Sequence, residues 1–143
     1  MTGQHPVLGM KVTPLDKIVD VCNNSASTVF AMIESRDAVE AADEIAGVHG
    51  VDVILIGSFD LSIDLGVGGQ FRSDQYRQAL TKVSEACKKH NKVFGVAGVY
   101  EDAEVQDWLI NTLGARYMLV HQDSSLITSG AAKAVKGVPE VKA

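Results

Sequence analysis

Residues 51–60 read Val-Asp-Val-Ile-Leu-Ile-Gly-Ser-Phe-Asp. Val53 to Ile56 are apolar without a break, so neither face of the segment is polar. A parallel strand covered on both sides reads this way. The run stops at Gly57, and a carboxylate, Asp60, follows three residues later. Upstream, Thr28 to Glu34 is a second short apolar run, and it too ends in an acidic residue. Between the two, Arg36 to Val48 carries Val39, Ala42, Ile45 and Ala46 at helical spacing, and His49-Gly50 stops it.

Downstream the same unit repeats. Asp74 to His90 places Tyr76, Leu80, Val83 and Cys87 on one helical face, and Lys92 to Gly98 is the next apolar run. Ala103 to Leu113 reads as a helix closed by Gly114. Ala115 to Asp123 reads as a fourth strand and Ser125 to Val135 as a last helix. A first helix opens at Thr13-Pro14, with Thr13 as the expected N-cap and Pro14 at the first position. Four strand–helix repeats predict a parallel α/β architecture. Right-handed crossovers restrict it to an open doubly wound sheet or part of a barrel. The expected organisation is an extended arm or loop over residues 1–13, one α/β domain over 14–137 and a flexible tail over 138–143.

The 143 residues carry a net charge of −5 and no basic run, which disfavours a nucleic-acid partner. Lys88-Lys89-His90-Asn91-Lys92 is the densest basic cluster, and a helix C-terminus accounts for it. No run of 18 apolar residues is present, so no membrane partner is expected. The first residues lack a basic-then-apolar leader pattern. Cys22 and Cys87 lie far apart in helical segments, without zinc spacing, and read as free thiols in a reducing, cytoplasmic compartment.

In parallel α/β proteins, sites form at the C-terminal ends of strands. Those ends are Glu34, the stretch Gly57-Ser58-Phe59-Asp60, the residues around Ala97, and Gln122-Asp123. Neighbouring parallel strands lie ~5 Å apart, so Glu34 and Asp60 can converge on one cation. Two carboxylates suit a hard or borderline divalent metal such as Mg, Mn or Co, with a 2-keto acid completing the shell through its oxygens. Such an ion acts as a Lewis acid on the enolate formed when a carbon–carbon bond breaks. The plainer alternative is that the carboxylates cap helices, Asp60 accepting from N–H groups near Ser62 and Ile63. His121 is a possible acid or base at the mouth, although strand histidines are more often core residues. The Gly66-Val67-Gly68-Gly69 stretch is no nucleotide fingerprint and reads as a flexible loop near the site. Trp108, beside Val105 and Leu109, reads as packing.

Ala31-Met32-Ile33-Glu34-Ser35, followed by Val51-Asp52-Val53-Ile54-Leu55-Ile56-Gly57-Ser58-Phe59-Asp60-Leu61-Ser62, resembles the HpcH/HpaI aldolase family of class II pyruvate aldolases. Gly114 to Asp123 resembles that family's last barrel strand. The resemblance implies the C-terminal half of a (β/α)8 TIM barrel and reversible aldol cleavage giving a 2-keto acid. It implies Glu34 and Asp60 as metal ligands. It also places Gly57, Ser58, Phe59, Asp60 and Ala97 around the substrate carboxylate, through backbone amides at Phe59, Asp60 and near Ala97. Two positions depart from the family pattern: Met32 stands where Gln is usual, and Ser58 where Pro is frequent. The family's His base, its acidic partner and a substrate-binding Arg belong to the other half of the barrel. The expected function is therefore a metal-dependent carbon–carbon lyase. The alternative is a non-catalytic binding protein on the same half-fold. Open strand edges and one uncovered sheet face predict a homo-oligomer.

Overall fold

The computed structural model of the chain describes residues 8–139. The first seven residues of the expected arm and residues 140–143 of the expected tail lie outside the described residues. Four strands form one sheet in the order β1-β2-β3-β4: Phe30–Ile33, Val53–Gly57, Val93–Ala97 and Tyr117–Leu119. All neighbouring pairs are parallel, with Met32 opposite Leu55, Leu55 opposite Gly95 and Gly95 opposite Tyr117.

Among the described residues seven helices accompany the sheet: α1 Leu15–Val21, α2 Arg36–Glu40, α3 Ala42–Gly47, α4 Ser58–Asp64, α5 Asp74–Lys89, α6 Ala103–Asp107 and α7 Asp123–Lys136. π turns extend α1 through Cys22–Ala26 and α6 through Trp108–Thr112. Side-chain caps start three of the helices: Ser35 accepts from Ala38 N–H, Ser73 from Tyr76 N–H and Asp102 from Val105 N–H. Thr13 does not cap α1. Pro14 is the N-cap residue, and the Thr13 hydroxyl instead donates to the Lys11 carbonyl.

The two faces of the sheet differ. Ile33, Ile54, Ile56, Phe94 and Val96 turn to the helices and are buried against Tyr76, Leu80, Val83 and Leu109. The other face carries Phe30, Met32, Val53, Leu55, Tyr117 and Leu119, by the alternation of strand side chains. Among the described residues no layer of helices covers it, and Phe30, Met32, Tyr117 and Leu119 are exposed. The sheet curves so strongly that the rings of Phe30 on β1 and Tyr117 on β4 meet edge to face, 5.0 Å apart. Gly95 permits this, since a Cβ there would lie 3.2 Å from both Leu55 Cδ1 and Tyr117 Cβ. A concave, all-parallel sheet with its helices outside is half of a (β/α)8 barrel. It is not a doubly wound sheet, which would have helices on both faces.

Candidate functional site

Glu34 follows β1 immediately and is half-buried. One residue on from the Ile33–Ile56 pair, it stands opposite Gly57, the last residue of β2. Its side chain lies across the Gly57 backbone. A Cβ at Gly57 would sit 2.6 Å from Glu34 Cγ and closer still to Oε1. Glycine at 57 is thus the space in which the carboxylate lies. Asp60 is exposed in the first turn of α4, which begins directly after Gly57. Neither carboxylate accepts a hydrogen bond from another described residue, and no side chain caps α4, so the capping alternative for Asp60 is not realised.

The two acidic segments are tied together. Arg36 N–H donates to Asp64 Oδ2 at 2.6 Å, and the Arg36 guanidinium donates to the Leu65 carbonyl at 3.3 Å. These bonds fasten the chain leaving Glu34 to the far end of the helix that carries Asp60. Among the described residues no three His, Cys, Asp or Glu side chains gather as a metal-binding group.

Ser58 is fully buried, and its hydroxyl accepts from the Tyr76 phenol at 2.7 Å. Burial pushes the Tyr76 hydroxyl up to about 12, only partly offset by this bond. The serine that replaces a more usual proline therefore carries a buried bond to α5, and its side chain is not free to meet a ligand. Phe59 is half exposed and packs edge to face on Phe71, 5.3 Å between centroids. Ala97 ends β3 opposite both Gly57 and Leu119. Gly98 follows with φ +92, and a Cβ there would meet Phe59 Cδ2 at 3.1 Å.

The glycine stretch departs from its reading as a flexible loop. Val67 N–H donates to the Ser62 carbonyl, Gly69 N–H donates to the Ser62 hydroxyl at 2.9 Å, and Val67 is buried. Ser62 in turn donates to the Phe59 carbonyl at 2.7 Å. Beyond the loop, Arg72 pairs with Asp102 and Glu104, both at 2.8 Å, and this guanidinium holds the Asp102 carboxyl below the ordinary aspartate range. His121 is half-buried, and its ring stacks on Tyr100 at 5.5 Å and 18°. His90 is held by Asp43 at 2.9 Å, as a helix-end residue should be. Sequence reading missed Tyr76 as a support and Tyr100 as part of the mouth. Tyr76 counted only as an apolar member of its helix face, and Tyr100 lies in a connection without periodicity.

The all-parallel half-barrel thus carries two acidic residues, Glu34 and Asp60, just beyond the ends of the adjacent strands β1 and β2. The chain belongs to the HpcH/HpaI aldolase/citrate lyase family, whose model matches residues 7–112. It is 48% identical over 142 residues to the 4-hydroxy-4-methyl-2-oxoglutarate aldolase tasA of Hapsidospora irregularis, covering 99% of this chain and 53% of that protein. It is 46% identical over 141 residues to the 4-hydroxy-4-methyl-2-oxoglutarate aldolase cghB of Chaetomium globosum, covering 99% of this chain and 52% of that protein. Among solved structures, an HpcH/HpaI aldolase from Desulfitobacterium hafniense DCB-2 superposes with a TM-score of 0.77 at 30% identity, over 93% of this chain and 51% of that one. The chain thus spans about half the length of the curated relatives it matches.

Proposed function

We propose that this chain supplies the metal- and keto-acid-binding half of a carbon–carbon lyase. The observation that carries the reading is the Glu34 carboxylate lying over Gly57, fastened through Arg36 to the helix that bears Asp60. An all-oxygen pair with no competing partner suits Mg, Mn or Co. When bound, the ion supplies Lewis acidity that draws electrons from a 2-keto group. The chain's own residues then do three things. Glu34 and Asp60 hold the ion. The N–H groups of Phe59 and Asp60, which have no intrahelical acceptor in the first turn of α4, face a substrate carboxylate, with the backbone near Ala97 alongside. Gly57 leaves room, and Ser58 contributes its backbone while its hydroxyl anchors the turn to Tyr76.

The substrate class is a 2-keto acid, as in the names of the relatives. Cleavage of an aldol also requires a base for the departing hydroxyl proton. A positioned base contributes about 3 to 5 kcal/mol, and His121 is the one imidazole the described residues bring near this mouth. Binding is therefore assigned to this chain, and turnover to a completed barrel. The free thiols of Cys22 and Cys87 fit a reducing, cytoplasmic setting. The uncovered concave face fits a homo-oligomer.

Mn titration of the purified chain, read by electron paramagnetic resonance, tests the core of this. The expected outcome is one site per chain, weakened about tenfold or more by Glu34→Gln and by Asp60→Asn, since a direct ligand counts at least as much as its supports. Equal Mn affinity in the parent and both variants would overturn the assignment.

A further inference from the structure

Two stretches of backbone meet at the mouth, and they come from different strands. One is the turn after β2 that bears Phe59 and Asp60. The other is the connection from β3 to α6, residues 98–102. They lie tightly together: a Cβ at Gly98 would stand 3.1 Å from Phe59 Cδ2 and 3.4 Å from Ser58 Cβ. The connection is not relaxed. Gly98 has φ +92 and Glu101 has φ +56, a left-handed conformation that costs energy for any residue with a Cβ. Buried Val99 anchors its middle, and the Val99 carbonyl accepts from the Gln106 side chain at 3.0 Å. Gln106 belongs to α6, which follows directly, so that bond holds the connection only to its own sequel.

The charged tie to the rest of the mouth comes from Arg72. This residue stands between Phe71, whose ring packs on Phe59, and Ser73, the N-cap of α5. Its backbone is therefore fixed by the Asp60 turn on one side and by the longest helix on the other. The guanidinium forks onto Asp102, Nη2 donating to Oδ1 at 2.8 Å and Nε to Oδ2 at 3.2 Å. Nη1 reaches Glu104 at 2.8 Å. Asp102 Oδ1 also accepts from Val105 N–H, so one carboxylate ends the strained connection, caps α6 and takes the fork. A lone surface pair contributes little, but a planar two-point fork within a network is the geometry in which such a pair counts.

Arg36 and Arg72 divide the mouth between them. Arg36 ties the Glu34 segment to α4 and its end. Both carboxylates of the metal pair lie on that side. The N–H groups assigned to the substrate carboxylate lie on both sides: Phe59 and Asp60 on one, the backbone near Ala97 on the other. Arg72 spans that gap. We propose that Arg72 is a positioning residue: through its fork on Asp102 it sets the backbone near Ala97 against the Phe59 and Asp60 amides, and so serves the substrate carboxylate and not the metal ion. The inference rests on the binding role proposed above and adds a residue to it.

The test uses the whole chain, with Mn and without. Arg72→Met keeps the stem and removes the fork; Asp102→Asn keeps an oxygen to cap α6 and removes the charge. By calorimetry, each should weaken pyruvate binding to the Mn-loaded chain about threefold to fivefold and leave Mn affinity unchanged. The double variant should be no weaker than either single one, because both remove the same bond. Arg72→Lys, which keeps the charge without the fork, should restore only part of the loss. Unchanged pyruvate affinity in Arg72→Met, an equal fall in Mn affinity, or additive losses in the double variant overturns the proposal. Amide exchange on the metal-free chain separates this result from a failure of the parent reading. In Arg72→Met it should quicken at Val99 and at Val105, whose N–H bonds Asp102, and stay unchanged at Arg36, whose N–H bonds Asp64. Quickened exchange together with pyruvate binding that is absent, or indifferent to Glu34→Gln, sinks the parent reading and with it the substrate role of Arg72. Unmoved exchange at Val99 and Val105, with pyruvate binding intact and dependent on Glu34, sinks the role of Arg72 alone.

Discussion

A methyl group at Gly57 would take the volume that the Glu34 side chain occupies, while the backbone there (φ −88) suits alanine as well as glycine. Gly57→Ala should therefore cost the fold little and the site much. Glu34 must swing away, and Mn affinity should fall about tenfold or more while circular dichroism stays unchanged. Retained Mn affinity in Gly57→Ala would mean that the carboxylate binds from another rotamer. Tyr76 makes a second prediction at this scale. Its hydroxyl, raised to about 12, stays protonated in the folded chain where the unfolded chain ionises near pH 10. Stability from this group is complete below about pH 10 and is lost as pH rises toward 12. Tyr76→Phe removes that alkaline slope. At neutral pH it leaves the buried Ser58 hydroxyl without its partner, a loss of about 1 to 3 kcal/mol measurable by urea unfolding of the Trp108 fluorescence. An unchanged alkaline limb in the variant would place the titrating tyrosine elsewhere. Glu34 and Asp60 were legible in the sequence because strand ends are predictable from apolar runs. The Ser58–Tyr76 bond was not, because nothing local links residues 18 apart in separate elements.

The elements read from periodicity were recovered where an apolar face is long and continuous, as in α5, which spans Asp74–Lys89 against an expectation of Asp74 to His90. They were missed where tertiary bonds decide. The helix expected over residues 36–48 divides at Ala41, whose ψ of 8 leaves the helical range between α2 and α3. α4 was invisible because its seven residues read as the end of a strand motif, and its first turn is shaped by the site. β4 shrinks to Tyr117–Leu119 because β3 pairs with only one edge of it and its other edge is open. The glycine stretch after α4 is the plainest case. Composition alone says flexible, but Ser62 donates to Phe59 and accepts from Gly69, which fixes the loop against the turn that bears Asp60. Ser62→Ala should remove both bonds and cost about 1 to 3 kcal/mol, because Gly69 N–H loses its acceptor. Amide exchange at Gly69 should quicken together with that at Val67, whose N–H bonds the same residue's carbonyl. Exchange that quickens at neither would mean that Val67 burial alone holds the loop.

At the scale of the molecule, periodicity specified four parallel repeats but left open whether they form a flat sheet or a barrel wall; the resemblance to the HpcH/HpaI family pointed to half of a barrel, and the structure has that form. Curvature is a collective property of strand twist and close approach, set here by Gly95 beside Leu55 and Tyr117. The same curvature leaves apolar surface without cover. Met32 is 51% exposed on the concave face, and α1 and α7 bury no residue although Leu15, Val19, Leu126, Ile127 and Val135 lie on them. Two helices held by neither propensity nor packing should not persist on an isolated half-barrel, because short helices need an apolar partner face. We propose association as the physical remedy: a second copy would cover the concave face or the loose helices and make stability dependent on concentration. Sedimentation velocity should give a mass above the 15.2 kDa of one chain at micromolar concentration, and the urea midpoint of Trp108 fluorescence should rise with concentration. Met32→Glu on the concave face and Ile127→Glu on α7 divide the two arrangements, since a charge in the buried contact opposes association and the same charge in solvent does not. A compact monomer at every concentration, with α7 protected from amide exchange, would show that the half-barrel covers its own apolar surface and that association plays no part in its stability.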